Sequence, residues 1–166
     1  MICPVCQWQN FVGDDLCDNC GADLRASDTP EPATGFRGPL LGLHLDELGA
    51  PPPETVDGSE DVARVVERMH LGGIDCILIT EAGRLAGIFT DRDALLKLAG
   101  RGLEHGPIRE LMTTDPMVLR HDDTIAVAIN KMAVGGFRHV PIVEDGRPIA
   151  VVSARDIFRH IATRLG

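Results

Sequence analysis

From residue 45 onward the chain alternates between two hydrophobic patterns. In one, apolar residues recur every three or four positions: Val62, Val65, Val66 and Met69, and later Ile125, Ala128, Ile129 and Met132. That spacing places them on one face of an amphipathic helix. In the other, pairs of short apolar runs flank a tight turn. Residues 76–80 and 85–89 surround Gly83, and residues 139–143 and 149–152 surround Asp145-Gly146. These read as hairpins. A short extended segment precedes each helix, Glu54-Thr55-Val56 and Met117-Val118-Leu119. Gly72-Gly73 and Gly135-Gly136 end the helices, and Asp57 with Glu60 has capping-box spacing at the first. A last helix is expected from Asp91 and from Ala154. Each stretch therefore reads β-α-β-β-α, and the expected class is α+β.

The two stretches are copies of one unit. Shifted by 63 positions, residues 45–101 align with 108–164 without a gap, and 15 of the 57 pairs are identical. Glu47/Glu110, Pro53/Pro116, Met69/Met132, Gly83/Gly146, Arg92/Arg155 and Asp93/Asp156 are among them. An ungapped match across turns and helices marks a structural repeat. A unit of this size has a thin core by itself, so the two are expected to pack as a pseudo-twofold pair.

Residues 1–24 follow another logic. Cys3 and Cys6, then Cys17 and Cys20, form two C-x2-C knuckles ten residues apart. Two knuckles joined by a hairpin can bring four thiolates to the corners of a tetrahedron, which suits zinc and also a rubredoxin-type iron. So short a segment needs the metal to fold. Paired disulfides are disfavoured by an expected cytosolic address, and a redox C-x-x-C by the absence of a surrounding βαβ pattern. The stretch CPVCQWQNFVGDDLCDNCGADL resembles prokaryotic zinc ribbons. Trp8 and Phe11 form either its small core, the preferred reading, or exposed anchors for a partner. Residues 25–39, rich in Pro, Gly and small polar residues, read as a linker that leaves the ribbon mobile.

Charge narrows the partners. The net charge is −9, which opposes a general grip on nucleic acid or an anionic membrane. Residues 1–24 hold Asp14, Asp15, Asp18 and Asp23 and no Lys or Arg. A structural or protein-contact role for the ribbon is therefore favoured over phosphate binding. No apolar run is long enough to span a membrane, and Met1-Ile2-Cys3 opens no secretory signal, so a cytoplasmic protein is expected. Cys76, alone in an apolar run, reads as a buried strand residue. His44, His70, His105, His121 and His160 show no metal-ligand spacing and read as surface residues.

Each repeat carries a hydroxyl and a carboxylate three residues apart where a strand meets a helix: Thr90-x-x-Asp93 and Ser153-x-x-Asp156. A helix N-terminus favours phosphate, and a carboxylate can accept both protons of a ribose diol. Arg92 and Arg155 lie between and suit a phosphate. The same residues also fit an ordinary N-cap with a capping box.

The duplicated motifs Gly87-Ile88-Phe89-Thr90-Asp91-Arg92-Asp93 and Ala150-Val151-Val152-Ser153-Ala154-Arg155-Asp156, with Phe137-Arg138-His139-Val140-Pro141-Ile142-Val143, resemble the cystathionine β-synthase (CBS) domain pair, or Bateman module. The resemblance covers about residues 40–166. It implies two clefts that bind an adenosine ligand: AMP, ADP, ATP or S-adenosylmethionine. One cleft would join Ser153, Asp156 and His139 to the Pro53–Val56 and Ile74 region. The other would join Thr90 and Asp93 to Met117, Val118 and Phe137. Where family members place phosphate-contacting basic residues, the second repeat has Arg138 and His139 and the first has Asp75 and Cys76. The Ser153/Asp156 cleft is thus expected to hold the more phosphorylated ligand. The resemblance also implies a homodimer.

The expected organisation is a ribbon at 1–24, a linker at 25–39 and CBS units at 40–103 and 104–166. No catalytic motif such as G-x-S-x-G, a P-loop or H-E-x-x-H occurs. The expected function is a nucleotide-sensing regulator that is not an enzyme. The alternative is a ligand-free dimeric adaptor that docks a protein through the ribbon.

Overall fold

Two hairpins with the same turn organise the repeats. Ala82-Gly83 and Asp145-Gly146 all have positive φ, 49° and 76° in the first pair and 51° and 78° in the second. Such a turn matches the twist of the strands that it joins. The computed structural model describes residues 2–10, 14–25, 43–98 and 105–165. The expected linker, from residue 26, and Phe11 lie outside the described residues.

The strands are β1 (Thr55–Asp57), β2 (Cys76–Glu81), β3 (Arg84–Thr90), β4 (Thr113–Thr114), β5 (His139–Glu144) and β6 (Arg147–Ser153). The helices are α1 (Val62–Gly72), α2 (Asp91–Leu98), α3 (Ile125–Gly135) and α4 (Ala154–Leu165). Short 3-10 turns cover Leu45–Leu48 and Ile108–Glu110. The chain divides into two units. One comprises Ala50–Arg120 and His139–Val151, and the other Met1–Gly49, His121–Arg138 and Val152–Gly166.

The first unit contains a four-stranded sheet in the order β1-β2-β3-β4, with β1 parallel to β2 and the other pairs antiparallel. Val56, Val62, Val65, Met69, Ile77, Ile79, Phe89 and Ile108 form its core. Strand β4 was not foreseen. Its counterpart positions, Ala50 and Pro51, run into prolines, which have no N–H to give to a ladder. The cap of α1 also differs from expectation. Asp61, not Asp57, is the N-cap and accepts the Ala63 N–H at 3.0 Å. Asp57 instead closes a turn on Ser59.

The second unit contains the cysteine segment, the 45–48 turn, α3 and α4. Helix α3 buries Ile125, Ala126, Val127, Ala128, Lys131 and Met132. Thr124 caps it, and Gly136 ends it at a φ of 66°. Both helices have glycine in the left-handed C-cap that the sequence indicates, Gly73 being the other.

The repeat is visible in the pairing itself. Val56 pairs with Ile79 in parallel, and Leu119 pairs with Ile142 in the same sense 63 residues on. Within one unit Asp61 bridges Pro107, and within the other Thr124 bridges His44. The lead-in of each repeat thus pairs with the helix cap of the opposite repeat. For that reason the units cut across the sequence copies.

Candidate functional site

The strand-helix junctions have matching geometry. At the end of β3 the Thr90 hydroxyl donates to Asp93 Oδ2 at 2.7 Å, and the Thr90 N–H donates to the same oxygen at 3.0 Å. The Asp93 N–H returns a bond to Thr90 Oγ1 at 3.3 Å. At the end of β6, Ser153 and Asp156 repeat this set at 2.5, 3.0 and 3.1 Å. Each is a reciprocal capping box. It engages one carboxylate oxygen and leaves the other to the surroundings.

The second oxygen distinguishes the repeats. Asp93 Oδ1 accepts from Lys97 Nζ at 2.8 Å and from the Thr113 hydroxyl at 3.4 Å. Lys97 also donates to the Leu111 carbonyl at 2.6 Å, which fixes it in place. Burial raises the Asp93 carboxyl, but the bonds from Lys97 and Thr90 outweigh it and hold the group below its ordinary value. In the second repeat His160 occupies the place of Lys97. Asp156 Oδ1 meets Arg159 at 3.6 Å, too long for a hydrogen bond. Among the described residues Asp156 therefore has the less committed oxygen. His160 is half-buried, with its Nε2 screened from solvent, and is not the surface residue expected.

The other predicted residues are distributed as follows. Arg92 and Arg155 are exposed on the first turns of α2 and α4. Met117 is exposed, and Val118 lines a small cavity of ≈ 180 Å³ with Arg84, Pro116 and Val143. Phe137 is half-buried. Arg138 is exposed, and its carbonyl accepts the Ala154 N–H at 2.9 Å, as that of Asp75 accepts Asp91 at 3.0 Å. His139 opens β5 and is half-buried. Glu54, Val56 and Ile74, from the region expected to face a ligand, line an open groove of ≈ 610 Å³. Arg64 and Arg68 also line it and are paired with Glu60 and Glu54. Cys76 is half-buried, and its thiol is pushed up to about 12, first by burial and then by Asp93, Asp75 and Asp91. It is a strand residue as expected, though half-buried rather than buried.

The four N-terminal cysteines come together. Their sulfurs all lie within 4.8 Å of one another, with Cys3–Cys20 at 3.8 Å and Cys6–Cys17 at 3.5 Å. A tetrahedron of thiolates on zinc has edges of about 3.8 Å, so the donor set fits such an ion. The knuckle backbone is aimed at the sulfurs. Burial raises the Cys17 thiol, yet the N–H groups of Cys20 and Asn19 bring it down to about 6. The Ala22 N–H lowers Cys20, but Cys6, burial, Cys17 and Cys3 push it up to about 12. Four thiols this close need a cation before all can ionise. Cys3, Cys17 and Leu24 form the small core of the segment. Trp8 is 52% exposed, so it is not the core residue preferred from the sequence. Val5 and Leu16 are exposed as well.

One contact escaped sequence reasoning. Lys131 of α3 is 3% exposed, and its ammonium lies 2.8 Å from Asp15 Oδ1 of the cysteine segment. The signal was present in the repeat. Arg64, Glu67 and Arg68 form the charged outer face of α1, whereas the matching residues of α3 are Val127, Asn130 and Lys131.

Comparison with known proteins agrees with this geometry. The CBS domain family model matches residues 45–100 and 108–163, and the chain belongs to that family. It is 36% identical over 112 residues to the CBS domain-containing protein CBSCBSPB5 of Arabidopsis thaliana, a match covering 65% of this chain and 20% of the relative. It is 33% identical over 143 residues to CBSCBSPB1 of the same plant, covering 84% and 25%. The chain thus spans about a fifth to a quarter of the length of these relatives. Among solved structures, a CBS-domain containing protein from Agrobacterium tumefaciens is 29% identical with a TM-score of 0.63, covering 70% of this chain and 94% of that one. A CBS domain protein from Pyrobaculum aerophilum, complexed with AMP, is 24% identical with a TM-score of 0.63, covering 73% and 99%. The CBS domain pair of protein MJ0100, in complex with 5′-methylthioadenosine and S-adenosyl-L-methionine, is also 24% identical, with a TM-score of 0.65 and coverage of 73% and 97%. The fold is the α+β CBS pair. No described helix is long and apolar enough to cross a membrane.

Proposed function

We propose that the chain is a regulatory nucleotide sensor. It binds an adenosine-containing ligand, AMP, ADP, ATP or S-adenosylmethionine, and carries no catalytic activity of its own. The observation that carries this reading is the uncommitted Oδ1 of Asp156. Its Oδ2 is fixed by Ser153, and its Oδ1 meets only a distant Arg159 among the described residues. A carboxylate so held can accept a ribose diol proton, and Arg155 and Arg138 on the same unit supply exposed positive charge. The AMP and S-adenosyl-L-methionine complexes of proteins with this fold support the ligand class. Asp93, engaged by Lys97, is the weaker ribose site. Thr90, Arg92, Met117, Val118, Phe137 and His139 are the further candidate ligand residues that the family resemblance implies.

In this reading Cys3, Cys6, Cys17 and Cys20 hold zinc, with iron the other metal that suits four thiolates. The site is closed and structural, and its reduced thiols suit the cytoplasm. The acidic ribbon with its exposed Trp8, Val5 and Leu16 suits a protein partner rather than nucleic acid. The ribbon would be residues 1–24, the linker 25–39, and the CBS units 40–103 and 104–166. The second reading is a ligand-free dimeric adaptor. It is favoured by Leu95 and Phe158, which occupy matching positions on α2 and α4 and are 68% and 72% exposed. Thermal-shift titration with each adenosine compound separates the two. A ligand at about 100 times its Kd adds roughly 2.7 kcal/mol and raises Tm by several degrees. No shift with any compound favours the adaptor.

A further inference from the structure

The repeat supplies an internal control for the outer face of α3. On α1, Arg64 and Arg68 are exposed; on α3, Val127 and Lys131 at the same positions are buried. Lysine is almost never buried to this degree without a partner. Asp15, from the cysteine segment 116 residues away, is one such partner. Its place is set by that segment. The Asp15 carbonyl accepts the Leu24 N–H at 2.9 Å, Leu24 packs on Cys3 and Cys17, and Cys17 follows two residues later. A segment whose core is three buried residues holds this shape through its metal. Arg25, at its end, and Asp123, just before α3, belong to the same charge cluster.

We propose that metal binding by the four cysteines and docking of the ribbon on α3 are a single coupled equilibrium. The metal-loaded ribbon seats Asp15 against Lys131. Loss of the metal releases Asp15 from Lys131, so the second repeat senses the metal state of the ribbon. By linkage, a residue of α3 that touches no metal ligand sets the metal affinity of the cysteine cluster. This rests on the metal reading of the cysteines and not on the nucleotide reading.

The test is zinc competition against a chromogenic chelator with the full chain. Lys131→Met and Asp15→Asn are each expected to weaken zinc binding roughly tenfold or more, because each removes the ion pair that ties the loaded ribbon to α3. The double variant should be no weaker than the worse single one. Arg68→Met, the matching change on α1, should stay within about twofold, since exposed pairs contribute little. Stoichiometric zinc in the wild type with unchanged affinity in Lys131→Met overturns the coupling. No bound zinc in the wild type overturns the metal reading and the coupling with it. Should Lys131→Met fail to fold, hydrogen exchange of the wild type decides. Chelation is expected to speed exchange in residues 125–135 and spare 62–72, and equal protection of 125–135 with and without metal overturns the proposal.

Discussion

Lys97 Nζ stands 2.8 Å from Asp93 Oδ1, and at the same place in the second repeat His160 follows Asp156. This exchange, together with the Thr113 hydroxyl that has no counterpart at Ala50, makes two similar junctions unequal. It also makes Asp93 a contributor to acid stability. The Asp93 carboxyl lies below its ordinary value in the folded chain, so folding favours its charged form. That contribution is complete above the unfolded value, about pH 4, and is lost as pH falls through the lower folded value. Urea unfolding between about pH 5 and about pH 3 should show a steeper loss in the wild type than in Asp93→Asn. Parallel curves would remove this role.

Phe89 is fully buried among Ile77, Ile79, Val65 and Met69. Phe89→Ala leaves a cavity that a sheet paired on both sides cannot close. It should cost about 3–5 kcal/mol, read as a lower urea midpoint at an unchanged slope. A loss below about 1 kcal/mol would mean that this core is not packed as described.

Gly87 lies where β3 meets β4. A Cβ there would stand 2.8 Å from the Thr113 carbonyl oxygen and 2.4 Å from Met112 Sδ. The methionine can swing aside, but the backbone oxygen belongs to the β3–β4 ladder. Gly87→Ala should therefore destabilise by about 1–3 kcal/mol and speed hydrogen exchange at Thr113 and Thr114. Unchanged exchange there would argue against the pairing.

One divalent ion per chain is expected at the cysteine cluster. Replacing any one of Cys3, Cys6, Cys17 or Cys20 with serine should weaken metal binding by orders of magnitude and leave the four-stranded sheet folded, since its core contains no residue from the ribbon. Metal analysis of purified chain and variants checks this. Full metal content in Cys17→Ser would contradict a four-thiolate site.

Local patterns carried most of this fold into the sequence. The hairpin turns, the helix starts at Asp91 and Ala154 and the left-handed glycines at 73 and 136 all depend on neighbours in the chain. What escaped was non-local or very short. Strand β4 has two residues, too few for alternation to register. Asp61 displaced Asp57 as the cap because it also accepts the distant Gly106 N–H, at 3.1 Å. Trp8 is exposed because the sulfurs and Leu24 already fill the ribbon's small interior. The Asp15–Lys131 pair spans most of the chain, and only a comparison of the two repeats betrays it. Of the candidate site, the sequence indicated the hydroxyl and carboxylate pairs. It did not indicate that Lys97 engages the free oxygen of one of them.

The central claim is that Asp156 receives the ribose of an adenosine ligand. Calorimetric titration of AMP into the wild type, Asp93→Ala and Asp156→Ala tests it most directly. Binding in the wild type that persists in Asp93→Ala and falls at least tenfold in Asp156→Ala is the predicted result, roughly the loss of one charge-assisted hydrogen bond. Equal AMP binding in the wild type and Asp156→Ala would contradict the claim and leave Ser153 and Asp156 as a helix cap.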